Sequence, residues 1–433
     1  MSGRVGVAGM MDVCTRVEAS RTSGGVEKRG RKRQQWRMSD QAMPGPQEKR
    51  IRFGVALWIS VVVVLYLLFV ASVWTVYLHF PLPWQAPNQR LWNSDFARMW
   101  YVGRSLLAAW HLTPPPPLLP YGDILAPGMV PDRAWVYPPP TGLIAMPFAL
   151  LPLSLAFWVW RAGSIMLGYW LLRRAGLKRL AVILGLAGPA AVIDLSGGQI
   201  GTLTGSLFVA ALLFAERSPR GAGVCAGALA IKPQIALMIP FAWARRRFKA
   251  SYIVAAITVL LVLAATLVLE GKGAWLRYFG VGMPDSLLLT QEPFSEVNAT
   301  ASFTVTYLFR SFGVSPHLAS IVQDFVSLLT LLAVWLAWKP DVMLAIPRMA
   351  FTVCLSLLAT PYGYAYDLVG YAVAMMALVA GLSGWPAFLA ALLWLMSGYT
   401  VFIFNITGLL LFPFCALSGA VLAWRFRHEP ALQ

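Results

Sequence analysis

The sequence predicts an all-α polytopic membrane protein, on three observations. Of its 433 residues 58% are hydrophobic and only 12% charged, with 18 Trp and 23 Phe, far from the balance of a soluble globular domain. Residues 54–78, GVALWISVVVVLYLLFVASVWTVYL, carry no charge. At about 1.5 Å per residue that stretch makes roughly 37 Å of helix, enough to cross a hydrocarbon core of about 30 Å. Eleven more apolar segments follow, near 141–152, 153–172, 180–196, 200–215, 221–243, 251–269, 318–338, 343–359, 368–382, 385–403 and 406–424.

The chain opens on a polar tail, residues 1–53, with twelve Lys/Arg against five Asp/Glu, part of a net charge of +17. It is rich in Arg, Gly and Ser and has no apolar core of a signal peptide, so a disordered cytoplasmic tail is expected. A basic run directly before a spanning helix holds the N-terminus inside the cell, and nucleic acid is not expected as a partner. Met38 and Met43 are alternative starts. With the first helix the apolar segments make twelve crossings, and the transmembrane domain runs over 54–425 with a short cytoplasmic tail at 426–433. If 143–172 is one bent helix and 221–243 is re-entrant around Lys232-Pro233, the count drops to ten and the basic run RRAGLKR, 173–179, moves inside. Both topologies leave two long loops, 79–140 and 270–317, together on the outer face. The first is rich in proline and too polar to lie in lipid.

Several chemistries are excluded. There is no repeat of 20–50 residues, no phosphate-binding loop, no Gly-rich dinucleotide fingerprint and no HExxH. The four cysteines, Cys14, Cys225, Cys354 and Cys415, are scattered, so neither a disulfide framework nor a metal centre is indicated. No cofactor is expected.

The first outer loop holds three carboxylates, Asp95, Asp123 and Asp132. Asp123 and Asp132 sit in turn settings beside Gly and Pro. Asp95 stands at the start of a predicted amphipathic helix that Ser94 caps, where the helix dipole favours an ionised carboxylate. Phe96, Met99, Trp100, Gly103, Leu106, Leu107 and Trp110 form one stripe at spacings of three and four, the pattern of a helix lying in the membrane interface. Asp95 and Arg98 share the opposite face. Asp95 suits a general base there, and it equally suits a cap or an ion pair with Arg98.

Five motifs in order, NSDF…YVGRSLL, VYPPPTGLIAMPFALLP, SGGQIGTLTGSLFVAALL, GAGVCAGALAIKPQIALMIP with RRRF, and TPYGYAYDLV, resemble those of glycosyltransferase family 87 over roughly residues 51–425. The resemblance implies a C-type glycosyltransferase bundle of about 10–12 transmembrane helices with interfacial helices in the first outer loop. It implies transfer of a sugar from a polyprenyl-phosphate carrier, as in the polyprenyl-phosphomannose-dependent α-mannosyltransferases, to a glycolipid or polysaccharide acceptor outside the cytoplasmic membrane, with inversion at the anomeric carbon. The family's proposed base is an aspartate of the first outer loop, the place that Asp95 occupies.

The residues support the rest of such a site. A lipid phosphate leaves bearing negative charge and needs cations more than an acid, and no carboxylate cluster suggests a metal. Lys232, inside an otherwise apolar segment, is costly unless it meets an anion or a wet cavity, which makes it a candidate for the phosphate; otherwise it snorkels from a helix end. Arg98 and Arg104 are further phosphate candidates, or contacts to lipid headgroups. Gln199, in SGGQIG, is placed to hydrogen-bond a sugar where two helices turn, although a tight turn explains the glycines alone. Many relatives carry Trp and then His where this chain has Tyr364 and Tyr366, so donor recognition is expected to differ: Tyr366 hydrogen-bonds or stacks on a sugar. Asp367 either caps the helix that follows or joins the site. Tyr137, in VYPPP, and the aromatics of WLRYFG offer stacking surface, or a membrane-interface belt. The opposing readings are a lipid or glycan transporter and a polymerase or ligase of lipid-linked glycans; the two halves of the chain lack the matching pattern common in transporters. Asn298-Ala299-Thr300 matches an N-glycosylation pattern and carries no weight here.

Overall fold

The computed structural model describes residues 46–77, 81–88, 91, 94–114, 137–246, 248–288, 294 and 302–432. Most of the basic tail, Asp123, Asp132 and the Asn298-Ala299-Thr300 pattern lie outside them. The described residues form helices and no strand; one isolated antiparallel bridge joins Ser302 to Tyr364. The chain divides into Met1–Arg50 and a compact unit, Ile51–Gln433, that holds every residue discussed below.

The helices follow the apolar segments, but many are cut short. α1 (Pro46–Tyr77) and α2 (Asp95–Ala109) are followed by α3 (Pro140–Ala149), which begins on a triple proline, and α4 (Leu153–Arg174). The segment expected at 180–196 splits at Gly188-Pro189 into α5 (Arg179–Leu186) and α6 (Pro189–Gly197), which meet at a 50° bend. Proline at the start of a helix has no amide to donate backwards, so one helix ends and another begins there. α7 (Gly201–Arg217) follows. The segment around Lys232-Pro233 is also broken: α8 (Pro219–Ala228) gives way to two 3₁₀ turns, Leu229–Ile231 and Pro233–Leu237, and then to α9 (Met238–Arg246). α10 (Lys249–Leu269) leads to α11 (Lys272–Arg277), a π-helical turn (Tyr278–Gly282) and α12 (Met283–Leu288). Then come α13 (Val305–Ser311), α14 (Pro316–Ala337), α15 (Ala345–Ala359), a 3₁₀ turn (Ala365–Leu368), α16 (Val369–Val379), α17 (Trp385–Thr407) and α18 (Phe412–Arg425).

Among the described residues four helices, α4, α10, α14 and α17, are long and apolar enough to cross a membrane, and the bent pair α5–α6 makes a fifth if it is one span. The chain is therefore a multi-pass membrane protein by composition and helix length, while the expected segments at α3, α15, α16 and α18 form shorter apolar helices. The reason is visible in α7 and α16. Nearly every residue of both is buried in protein, with Gly205 of α7 so close to α16 that a Cβ would stand 2.5 Å from the Gly370 amide nitrogen. A helix apolar on all sides fits a protein core as well as a bilayer. α10 shows the opposite pattern: Leu260, Leu261 and Val268 are over three-fifths exposed, a surface that lipid covers.

The apolar stripe of α2 is a correction to the interfacial reading. Phe96, Met99, Trp100, Gly103 and Leu107 are buried against protein, chiefly α3 and α4. A Cβ on Gly103 would stand 2.7 Å from the Ala145 carbonyl carbon, so α2 and α3 cross nearly backbone to backbone. The Trp100 indole donates to the Leu151 carbonyl at 3.0 Å. The stripe is a docking face for neighbouring helices, which use the same periodicity as an interfacial helix.

Candidate active site

Ser94 caps α2 as its residue type requires, its hydroxyl accepting from the Ala97 amide at 3.2 Å, and Asp95 follows in the first turn. Arg98 lies one turn on, with 3.5 Å between its guanidinium and the Asp95 carboxylate. Asp95 keeps 44% of its side chain exposed. Loss of water around it still raises its pKa above the usual carboxylate range, opposed by Arg98, by a hydrogen bond from Gln199 and by the charge of Lys232. Asp95 thus has an accessible face and more appetite for a proton than an ordinary aspartate.

Gln199 reaches Asp95 because of the turn it sits in. α6 ends at Gly198, whose φ of +63° is the left-handed conformation that favours glycine. A Cβ there would also stand 2.6 Å from the Phe96 Cβ and 2.9 Å from the Phe157 ring. The Trp160 indole donates to the Gln199 carbonyl at 3.1 Å, and the Gln199 amide NH₂ donates to Asp95. Its amide oxygen accepts from the Tyr137 hydroxyl at 2.8 Å. Tyr137 and Tyr366 both line the cavity described below. Burial and the nearby carboxylates push the Tyr137 phenol well above its ordinary pKa, so it stays protonated and a donor. One chain of hydrogen bonds thus runs from Tyr137 through Gln199 to Asp95.

Lys232 stands at the break between the two 3₁₀ turns. The following Pro233 bars it from helical geometry, and its φ of −149° is extended. It is 2% exposed and forms an ion pair with Asp367, which also accepts from the Tyr364 amide at 3.3 Å. Its ammonium lies 4.7 Å from the centre of the Tyr366 ring and 5.9 Å from that of Tyr137. The costly intramembrane cation has both things it needs, an anion and a cavity. That cavity, of about 580 Å³, is lined by Lys232, Tyr137, Tyr362 and Tyr366 at one end and by Leu229, Ala236, Val259, Trp275, Tyr278 and Phe279 elsewhere. Trp275 is held by a 2.9 Å bond from its indole to Thr266 and stacks on Phe279.

Seven of the eight residues singled out in the sequence therefore converge: Asp95, Arg98, Gln199, Tyr137, Lys232, Tyr366 and Asp367. Arg104 does not join them. Its guanidinium donates to the Ala149 carbonyl at 3.0 Å, at the C-terminal end of α3, where a cation meets the negative end of the helix dipole. Asp95 lies behind the Tyr137–Gln199 pair and is not part of the cavity wall.

Two residues of this region escaped the sequence reading. Asp194 accepts from the amides of Gly201 and Thr202 at 2.6 and 2.8 Å and from the Thr202 hydroxyl at 2.5 Å, capping α7 and fixing the Gln199 turn. A buried carboxylate in an apolar segment, five residues before Gln199, was the signal. Glu270, just past α10, sets its carboxylate against the start of α3, where a Cβ on Gly142 would stand 2.7 Å from its Oε1, and α3 has no side-chain cap of its own. Burial pushes its pKa to about 7 against the pull of Arg277. No local pattern joins residues so far apart.

Comparison with curated proteins and with solved structures finds no match. The model of glycosyltransferase family 87 matches residues 135–361. Tyr137, Gln199, Lys232 and most of the cavity wall fall inside the matched stretch, and Asp95, Tyr366 and Asp367 outside it. Since the match covers more than half of the 433 residues, the chain belongs to glycosyltransferase family 87, membrane enzymes that transfer a sugar from a donor to an acceptor.

Proposed function

We propose that the protein transfers a hexose, mannose or a related sugar, from a polyprenyl-phosphate carrier to a glycolipid or polysaccharide acceptor on the outer face of the cytoplasmic membrane. The observation that carries this reading is the hydrogen-bonded line from Asp95 to the aromatic wall of a cavity that also holds a buried lysine. The apolar part of that cavity suits a prenyl chain and its tyrosines suit a sugar ring.

In this reading Asp95 takes the proton of an acceptor hydroxyl as that oxygen attacks the anomeric carbon. The bond from the anomeric carbon to the phosphate oxygen breaks, and its electron pair leaves with the polyprenyl phosphate. A single displacement inverts the anomeric centre. Gln199 orients the Asp95 carboxylate by donating to it. Arg98 and Lys232 are the cations near the departing charge, Lys232 meeting it from the cavity wall while it keeps its pair with Asp367. Tyr366 and Tyr137 then face the sugar.

The test is sugar transfer by the purified protein in lipid, offered radiolabelled polyprenyl-phosphate hexoses with total membrane lipid as acceptor. Labelled glycolipid from one donor supports the reading. No transfer from any polyprenyl-phosphate hexose, with nucleotide sugars working in their place, would overturn it.

A further inference from the structure

A second charged cluster gathers at other helix ends and touches none of the residues above. Glu216 lies next to the last residue of α7, Arg245 and Arg246 end α9, and Arg348 stands in the first turn of α15. Glu216 pairs with Arg246 and, at 2.7 Å, with Arg348, through the same carboxylate oxygen. Arg246 also donates to the Trp338 carbonyl at 2.9 Å, and Arg348 to that of Met343 at 3.0 Å. Arg245 lies 4.2 Å from the centre of the Trp335 ring and has no ion pair among the described residues.

One carboxylate thus serves two guanidiniums, and the third, Arg245, rests on the Trp335 ring with no ion pair among the described residues. The Arg348 side chain is 4% exposed, and the Nε atoms of Arg245 and Arg348 are both buried without a hydrogen-bond partner. Arg348 also sits at the positive end of its helix, where a cation is disfavoured. Burying guanidinium charge in excess of its counter-charge is costly unless an anion completes the set. The surroundings indicate which. α14 ends at Ala337 after 22 residues apolar enough to cross a bilayer, which puts Trp335, Trp338 and the arginines at headgroup depth. Arginine forks match phosphate oxygens in pairs.

We propose that Arg245, Arg246 and Arg348 form a binding site for a phosphate anion, supplied by the headgroup of an acidic membrane lipid or by a soluble phosphate. The site is independent of the glycosyl-transfer reading, and its test needs no turnover. Thermal unfolding of the full chain in detergent is followed while phosphatidylglycerol, phosphatidylcholine or inorganic pyrophosphate is added. Protection by phosphatidylglycerol but not phosphatidylcholine identifies a lipid headgroup, and protection by pyrophosphate identifies a soluble anion. In either case Arg245→Gln, which leaves the Glu216 pairs intact, weakens the apparent affinity about tenfold, the loss expected for one charge-assisted hydrogen bond. Arg245→Lys, which keeps the charge and loses the fork, weakens it as well. Equal response to all three additives, or full protection in Arg245→Gln, would overturn the site.

Discussion

Asp95 and Asp367 both stand in the first turn of a helical segment, and the resemblance ends there. Asp367 has a side chain 4% exposed, and its oxygens are taken by Lys232 and by the Tyr364 amide. Asp95 is 44% exposed, accepts from one neutral amide and lies 3.5 Å from a half-exposed arginine. The one is committed to holding a buried cation in place, and the other is oriented but open. A carboxylate enclosed by its own protein has no face to offer a substrate hydroxyl, and one oriented by a single hydrogen bond with much of its surface exposed has. Asp194 is likewise enclosed, with three bonds to Gly201 and Thr202.

That contrast can be broken in stability first. Lys232→Met leaves Asp367 buried without its partner and is expected to cost roughly 3–5 kcal/mol, read as a large drop in the midpoint of thermal unfolding. Lys232→Met with Asp367→Leu should recover most of that loss while transfer stays impaired. Full activity in the stable double variant would show that the pair serves only the fold. At the Asp95 corner, Gly198→Ala demands a left-handed alanine and room where Phe96 and Phe157 already stand. It should destabilise by about 1–3 kcal/mol and lower transfer by displacing Gln199. A smaller effect is expected of Gln199→Leu, whose signature is in the pH profile. Gln199 donates to the ionised carboxylate and so lowers the Asp95 pKa; removing it raises that pKa further. Because activity needs the ionised form, it falls as pH drops through the raised pKa, and the acid limb of kcat/KM should move to higher pH than in the wild type. An unmoved limb would separate Gln199 from the titrating group.

Much of this site was legible because its residues break their surroundings. Lys232 is a charge in an apolar run, Gln199 follows two glycines where one must be left-handed, and Asp95 heads a helix with a serine cap. What was hidden depends on tertiary geometry. The α2 stripe has the periodicity of an interfacial helix, and only the backbone contact at Gly103 shows that protein covers it. Which apolar segments face lipid and which face protein was equally hidden, since α7 and α16 are buried on nearly all sides and composition does not distinguish lipid from core. The approach of Glu270 to Gly142 joins residues over 120 apart in sequence, and the ion pair of Lys232 with Asp367 joins residues 135 apart. Arg104 carried the same promise as Arg98 on the same helix and ends on the Ala149 carbonyl.

The most direct test of the central claim is the rate of transfer by Asp95→Asn, with the labelled donor that the wild type accepts and a check that the variant unfolds at the wild-type temperature. The amide keeps the size and the cap of α2 but cannot accept the proton, so the rate should fall by about 10²–10⁴-fold, the usual contribution of a general base. Wild-type transfer by the folded variant would remove Asp95 from the chemistry.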